Sequence, residues 1–384
     1  MRTPLAWLNL IHNKTRTALA AAGVAFAVVL IFMQLGFLGS AERSATLFYD
    51  ALDFDLLVRS RHYLHLIASR TFPRDRLDQA ESLPGVERAS PVYLVSDFWR
   101  NPHDGSKRAM LIVGLNPNDP VFRREDIQRK LALLTVPEFV LIDDKSRREF
   151  GPQDRRRFGK ADIGDESELS RQRVRIVECF SLGTGFVADG AVVACVRGFQ
   201  RFRPRQAPGQ VSLGLVKLLP GADAEAAAAA LNNALPEDVE VLTRADVLDR
   251  EVHHWVQNTS IGLIFQLGVV VALVVGTAIV YQVLSSDVAN HLPEYATLKA
   301  IGYGGGYLAG VVLQQAAMLA VLGFLPGLAI SAVLYWLTRA MARVPIEMTA
   351  GRVFFVFGLS VLMCTISGLG ALRKVRSADP ADLF

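Results

Sequence analysis

The chain has 384 residues, 41 Lys and Arg against 37 Asp and Glu, 51% apolar residues and three cysteines. A net charge of +4 gives no argument for a nucleic-acid partner, and three cysteines do not make a disulfide scaffold. The apolar excess is concentrated in four uncharged runs, at 17–41, 256–286, 300–338 and 353–372, each long enough for the roughly 20 residues that cross a bilayer core.

Ahead of the first run, Thr3-Pro4 reads as an N-cap with proline at the first helical position. Leu5, Trp7, Leu8 and Ile11 make residues 1–16 an amphipathic helix lying in the membrane interface. Run 17–41 is too long for a signal-peptide core and lacks a small-x-small cleavage site, so it reads as an uncleaved first span. Arg2, Lys14 and Arg16 precede that span, and Arg373, Lys374 and Arg376 follow the last. Basic flanks mark the cytoplasmic side, so both termini are expected in the cytoplasm. Arg339, Arg343 and Arg352, on the opposite loop at 338–352, argue mildly against this orientation.

Residues 42–255 are then expected to form a large domain on the outer side of the membrane. A strand at 53–59, a helix at 73–83 and an extended run at 86–98 are followed, late in the domain, by a strand at 211–219, an alanine-rich helix at 223–235 and a strand at 239–243. Leu83-Pro84-Gly85-Val86 and Leu235-Pro236-Glu237-Asp238-Val239 look like the same helix-to-strand turn. Two βαβ units, at about 42–105 and 206–250, thus bracket a β-rich insert at about 106–205, with strands at 109–115, 140–142, 174–180 and 191–197. Cys179 and Cys195 flank a turn in this insert; two unpaired buried thiols are the favoured reading over a bridge. Arginines cluster at Arg147-Arg148, Arg155-Arg156-Arg157 and Arg201, Arg203 and Arg205. Such runs are ordinarily solvated loops; the sharper alternative is a docking surface for acidic partners or lipid headgroups.

A helix at 246–256 returns the chain to the membrane, with His253, His254 and Trp255 at headgroup level. Adjacent histidines lie about 100° apart on a helix and do not share a metal-facing side. Spans are expected at 258–286, 307–337 and 353–372, with a cytoplasmic tail at 373–384. In the third span Gly323, Gly327 and Ser331 repeat every four residues, the small-xxx-small spacing of a close helix seam, and Pro326 marks a kink.

No Walker A, H-E-x-x-H, G-x-S-x-G or C-x-x-C pattern occurs, so no catalytic residue, cofactor or metal is expected in the chain. The spans also lack acidic or basic residues at membrane depth, which counts against an ion-coupled carrier. What stands out is the polar, glycine-rich segment 287–306. Residues 293–301 read as a short helix at the membrane surface, with Glu294, Tyr295, Thr297, Leu298, Lys299, Ile301 and Gly302 as its coupling residues. Leu298 and Ile301 are expected to face a partner groove, and Gly302–Gly306 to bend the chain back.

One span, a large outer domain and three further spans resemble the permeases of MacB-type ABC transporters, whose relatives include LolC/LolE and FtsX. The similarity is carried by Asn13-Lys14-Thr15-Arg16-Thr17 entering span one, by Glu294 to Gly302, and by Ala378-Asp379-Pro380-Ala381-Asp382-Leu383 at the end. Gln315 to Gly327 resembles the family's third span, with glutamine where relatives commonly carry glutamate. The DevC group is resembled through Arg2 to Leu8, Phe32 to Phe37 and Leu182 to Gly190.

The fold class implied is membrane α plus extracytoplasmic α/β, with four transmembrane helices (1 + 3) and porter-like and β-rich outer parts. The resemblance implies a permease subunit that binds no ATP itself and works with a separate ABC ATPase, as a homodimer among membrane lipids. For the DevC group it adds a periplasmic membrane-fusion protein, an outer-membrane channel and a lipid-like cargo. The alternative is an FtsX-like signalling subunit that regulates an outer partner without moving cargo.

Overall fold

The structure, a computed structural model, describes residues 14–151, 156–183, 188–203, 209–291, 293–294, 297–298, 301–342 and 345–376. The expected interfacial helix at 1–16, apart from Lys14 to Arg16, and the C-terminal motif therefore lie outside the described residues. The chain divides into a membrane unit, Met1–Ser40 with Thr259–Phe384, and an α/β unit, Ala41–Asn258.

In chain order the elements begin with α1 (Lys14–Ala51), β1 (Leu56–Ser60), β2 (Phe72–Pro73), α2 (Asp75–Glu81), β3 (Val86–Arg100), β4 (Lys107–Leu115) and α3 (Glu125–Gln128). There follow β5 (Phe139–Asp143), β6 (Glu166–Leu169), β7 (Gln172–Phe180), β8 (Ala191–Cys195), α4 (Val196–Phe202), β9 (Gln210–Val211) and β10 (Leu213–Leu218). The chain closes with α5 (Ala224–Ala234), β11 (Val239–Thr243), α6 (Arg244–Gln257), α7 (Ser260–Asn290), α8 (Gly305–Ala342) and α9 (Ala350–Arg376).

In the α/β unit, β11, β1, β10 and β3 are neighbours in that order and every adjacent pair is antiparallel. β1 and β3, joined by α2, are therefore parallel with β10 between them. β10 and β11, joined by α5, are parallel with β1 between them. The two expected βαβ units are thus interlocked, each holding a strand of the other, in the split βαβ arrangement.

This interlocking explains why all five residues of β1, including Arg59 and Ser60, are buried. Successive side chains of a strand point to opposite faces. Leu56 and Val58 join a core covered by α2 and α5, through Leu77, Ala80, Ala228 and Leu231. Leu57 joins the other core, covered by Phe48 and Tyr49 of α1 and Val247 of α6. Asp223 caps α5 by accepting the Glu225 and Ala226 amides. Asn232 then pairs with both the amide and the carbonyl of Val241 (2.9 and 2.7 Å), which satisfies the outer edge of β11.

The insert continues the same sheet. β3 is 15 residues long; its first half pairs with β10 and its second with β4. The order β4-β8-β5-β7-β6 follows, and β6 returns to pair with the end of β3 through Trp99↔Leu169 and Arg100↔Glu168. The β-rich insert is consequently a closed six-stranded barrel whose first staves are borrowed from the neighbouring motif. Its interior holds Trp99, Ile112, Ile142, Phe150 and Ile176, and the Trp99 indole donates to the Phe150 carbonyl at 3.1 Å.

One expectation needs correction here, and the favoured reading of the two cysteines holds. The strand expected at 191–197 ends at Cys195, because the Cys195 sulfur accepts the Gly198 amide and caps α4. Cys179 and Cys195 sit on strands separated by β5, and both thiols are free and buried. Burial pushes the Cys179 thiol up to about 11.

The arginine clusters are largely engaged within the unit. Arg147 pairs with Asp189, Arg156 makes a bidentate pair with buried Asp162, Arg201 pairs with Glu138, and Arg157 reaches the Lys145 carbonyl. Arg155 and Arg205 lie outside the described residues.

In the membrane unit, α1, α7, α8 and α9 are long and apolar enough to cross a membrane. Each extends past its apolar run, and α1 continues without a break to Ala51, ten residues beyond the expected span. Pro326 lies inside α8, which the chain continues on both sides.

Candidate coupling site

The coupling segment begins where α7 ends. Its last turn carries Asp287, whose carboxylate accepts from the buried Gln315 amide of α8 at 3.3 Å. That bond ties the two helices flanking the segment at their shared end. Pro293-Glu294 and Thr297-Leu298 are helical, the Thr297 hydroxyl donates to the Pro293 carbonyl at 2.9 Å, and the Ile301 amide donates to the Thr297 carbonyl at 3.0 Å. Gly302 follows with φ +101°, a left-handed conformation suited to glycine, and the Tyr303 amide closes onto the Leu298 carbonyl. α8 then starts at Gly305, so the bend comprises Gly302 to Gly304, and Gly305 and Gly306 are already helical.

The expected coupling residues separate into two groups. Glu294, Thr297 and Ile301 are exposed, Ile301 at 70%. Leu298 is half-buried against the membrane unit's own core, which places it as an anchor rather than beside Ile301 on an open surface. Tyr295 and Lys299 lie outside the described residues.

α8 packs closely along α1. A Cβ on Gly323 would overlap Val24, and one on Gly327 would come 2.8 Å from Val28 Cγ1. Ser331 is fully buried and returns its hydroxyl to the Gly327 carbonyl at 2.7 Å. One step further in the same four-residue series, the Tyr335 hydroxyl donates to the Phe32 carbonyl of α1. The contacts advance together along both helices, so α1 and α8 run parallel. Gly323, Gly327 and Ser331 are signalled by their spacing; Tyr335 is the fourth member, and its size disguised it.

α7 supports α1 from another side. Gly276 faces Ala27, Gly268 faces Gln34, and Phe37 stacks on Phe265. The Ser367 hydroxyl of α9 bonds the Thr277 carbonyl of α7 at 2.8 Å, and Gly368 of α9 faces Ala316 of α8. Small residues at each crossing let four helices pack without charged groups inside.

At the other end of α1, within the α/β unit, Tyr49 enters a buried polar cluster that the sequence reading missed. The Tyr63 hydroxyl donates to Glu251 Oε1 at 2.7 Å, the Tyr49 hydroxyl reaches the same oxygen at 3.1 Å, and the Arg59 guanidinium lies over the Tyr63 ring at 4.5 Å. Burial raises the Glu251 carboxyl, against the lowering pull of the two tyrosine hydroxyls and Arg59. The cluster joins α1 to α6, which carries Glu251. Its members are scattered over 200 residues, so no local pattern announces it. Nearby, His254 stacks on His65 at 5.3 Å while His253 is exposed, and among the described residues no group of three or more His, Cys, Asp or Glu is placed to hold a metal.

The MacB-like periplasmic core domain model matches residues 17–234, more than half of the chain. The chain belongs to the MacB/FtsX-like family of ABC transporter permeases. The FtsX-like permease C-terminal model covers residues 267–380, so both parts of a MacB/FtsX-like permease are present in order. Among similar proteins, the uncharacterized ABC transporter permease Rv0072 of Mycobacterium tuberculosis is 22% identical over 370 residues, covering 95% of this chain and 93% of that one. The uncharacterized ABC transporter permease Mb2592 of Mycobacterium bovis is 23% identical over 376 residues, covering 96% and 94%.

Two solved domains were also found similar. The periplasmic region of MacB from Actinobacillus actinomycetemcomitans covers 53% of this chain and 94% of its own, with 8% identity and a TM-score of 0.36. The extracellular domain of YknZ from Gram-positive bacteria covers 50% and 99%, with 13% identity and a TM-score of 0.33. The assignment rests on the sequence models. A MacB/FtsX-like permease is a membrane protein that works with an ABC ATPase, and this chain is one.

Proposed function

We propose that this permease is a force-transmitting subunit of an exporter, driven by a separate ATPase that binds and hydrolyses ATP on its behalf. The exposed residues Glu294, Thr297 and Ile301 receive the ATPase, and Leu298 fastens the short helix to the spans. The observation that carries this reading is the parallel seam of α8 on α1, from Gly323–Val24 to Tyr335–Phe32, together with the unbroken helix that takes α1 on to Ala51. A push on the coupling helix enters α8 and crosses the seam to α1, the helix that runs on to Ala51.

In this reading the protein sits in the bacterial inner membrane with both termini cytoplasmic and acts as a homodimer. The α/β unit drives a lipid-like cargo toward a membrane-fusion protein and an outer-membrane channel, as the DevC resemblance implies. Co-purification of the complex from its native membranes tests the assembly. An ATPase together with a fusion protein, and ATP-dependent release of bound lipid detected by mass spectrometry, is the expected result. An ATPase with a cell-wall hydrolase, activated by ATP and without lipid release, would replace export by the FtsX-like signalling role.

A further inference from the structure

Between β1 and β2 the α/β unit opens a cavity of about 650 Å3, lined mainly by Arg61, His62, Tyr63, Leu64, Arg70 and Thr71. Arg61, His62 and Arg70 are exposed, and among the described residues none of the three has a carboxylate within ion-pair distance. Two acids beside β1 are already paired. Asp238 holds Arg76, and Glu240 holds both Arg59 and Arg250. Among the described residues, the Arg61 side chain makes one long bond, from Nε to the Val239 carbonyl at 3.4 Å.

One wall of this cavity is pre-set. Tyr63 is fixed from behind by Glu251 and capped by Arg59, so its ring cannot swing to fill the space. Leu64, 57% exposed, adds an apolar surface beside the three nitrogen-bearing groups. The same loop reaches α6, where His65 stacks on His254; α6 ends three residues later at Gln257, and α7 begins at Ser260.

Two guanidinium forks and an imidazole N–H around one cavity suit a phosphate group, which accepts paired N–H donors from arginine. We propose that this cavity binds phosphate, in the form carried by a phospholipid headgroup, with Leu64 against the start of an acyl chain. A free phosphate ester offers the same oxygens without the chain.

The full-length protein, held in nanodiscs of phosphatidylcholine, is titrated by calorimetry with inorganic phosphate in one arm and with soluble dihexanoyl-phosphatidylglycerol in the other. Saturable binding of the lipid, much tighter than of inorganic phosphate, is the expected result. Replacing both arginines (Arg61→Gln with Arg70→Gln) weakens it by at least about tenfold, because both charge-assisted hydrogen-bond donors are lost. The His62→Gln variant shows a smaller loss. The control Arg148→Gln, an exposed arginine of the barrel, leaves binding unchanged. Equal affinity for both ligands, lost in the double variant, keeps the phosphate site but assigns it to free phosphate esters. Absence of saturable binding in both arms, or equal binding by the wild type and a double variant with unchanged melting temperature, overturns the proposal.

Discussion

The Tyr335 hydroxyl on α8 donates to the Phe32 carbonyl of α1, at a point where Gly36 of α1 offers no side chain to obstruct it. A Cβ at Gly36 would overlap that hydroxyl. The Gly36→Ala variant is therefore expected to displace Tyr335 and to destabilise the membrane unit more than Tyr335→Phe. The latter removes one interhelical hydrogen bond, worth about 0.6–1 kcal/mol in a bilayer. Thermal unfolding of both variants in the same detergent gives the order; a Gly36→Ala protein as stable as wild type would contradict it.

Glycines of the membrane unit separate into two classes. Gly323 and Gly327 press on α1, whereas Gly310 and Gly358 have open space where a Cβ would go. Gly323→Leu and Gly327→Leu are expected to abolish ATP-coupled movement and lower the melting temperature. Gly310→Ala and Gly358→Ala should be neutral or stabilising by up to about 1 kcal/mol, since alanine loses less chain entropy in a helix.

Asp143, fully buried at the end of β5, accepts the amides of Lys145 (3.0 Å), Leu182 (3.0 Å) and Gly183 (2.8 Å). It thereby holds the start of the stretch Leu182 to Gly190, which carried part of the DevC resemblance. Replacing it with alanine strands three amides and should cost about 3 kcal/mol or more. Amide hydrogen exchange should show the loss spreading from residues 143–146 and 182–183.

The Glu251 cluster gives the α/β unit a pH response of defined sign. Burial raises the folded-state carboxyl above its ordinary range, so the neutral form is the one folding prefers. That stability is fully present below the ordinary carboxylate range and is lost as pH rises through the raised value. The protection of α6 amides, measured against their intrinsic exchange rate at each pH, should accordingly be greater at pH 5 than at pH 8 in the wild type. In Glu251→Gln, which keeps an acceptor for Tyr63 and Tyr49, the difference should shrink.

Much of the architecture is legible where it depends on local chemistry. Val239–Thr243 emerges as a strand as expected, and Asp223 and Pro236 bracket α5, because caps, prolines and alternation act over a few residues. The four apolar helices and the small-residue seam follow from composition and spacing. Non-local pairing is what stayed hidden. The closure of the barrel joins Trp99 to Leu169, and the polar cluster joins Tyr49 to Glu251. No window of sequence contains both partners. In the coupling segment, periodicity places Leu298 and Ile301 together, but Gly302 turns the chain immediately after them. That turn leaves Ile301 exposed while Leu298 anchors in the core.

In the proposed function the 293–302 segment passes ATPase motion to the α/β unit. The most direct test is hydrogen exchange of α6 in the reconstituted permease with its ATPase, with and without ATP, in wild type and in the Glu294→Lys and Ile301→Asp variants. Both positions are exposed, so the variants should insert and fold normally. The account predicts an ATP-dependent change in α6 of the wild type that disappears in both variants. An unchanged ATP response of α6 in the two variants would contradict it.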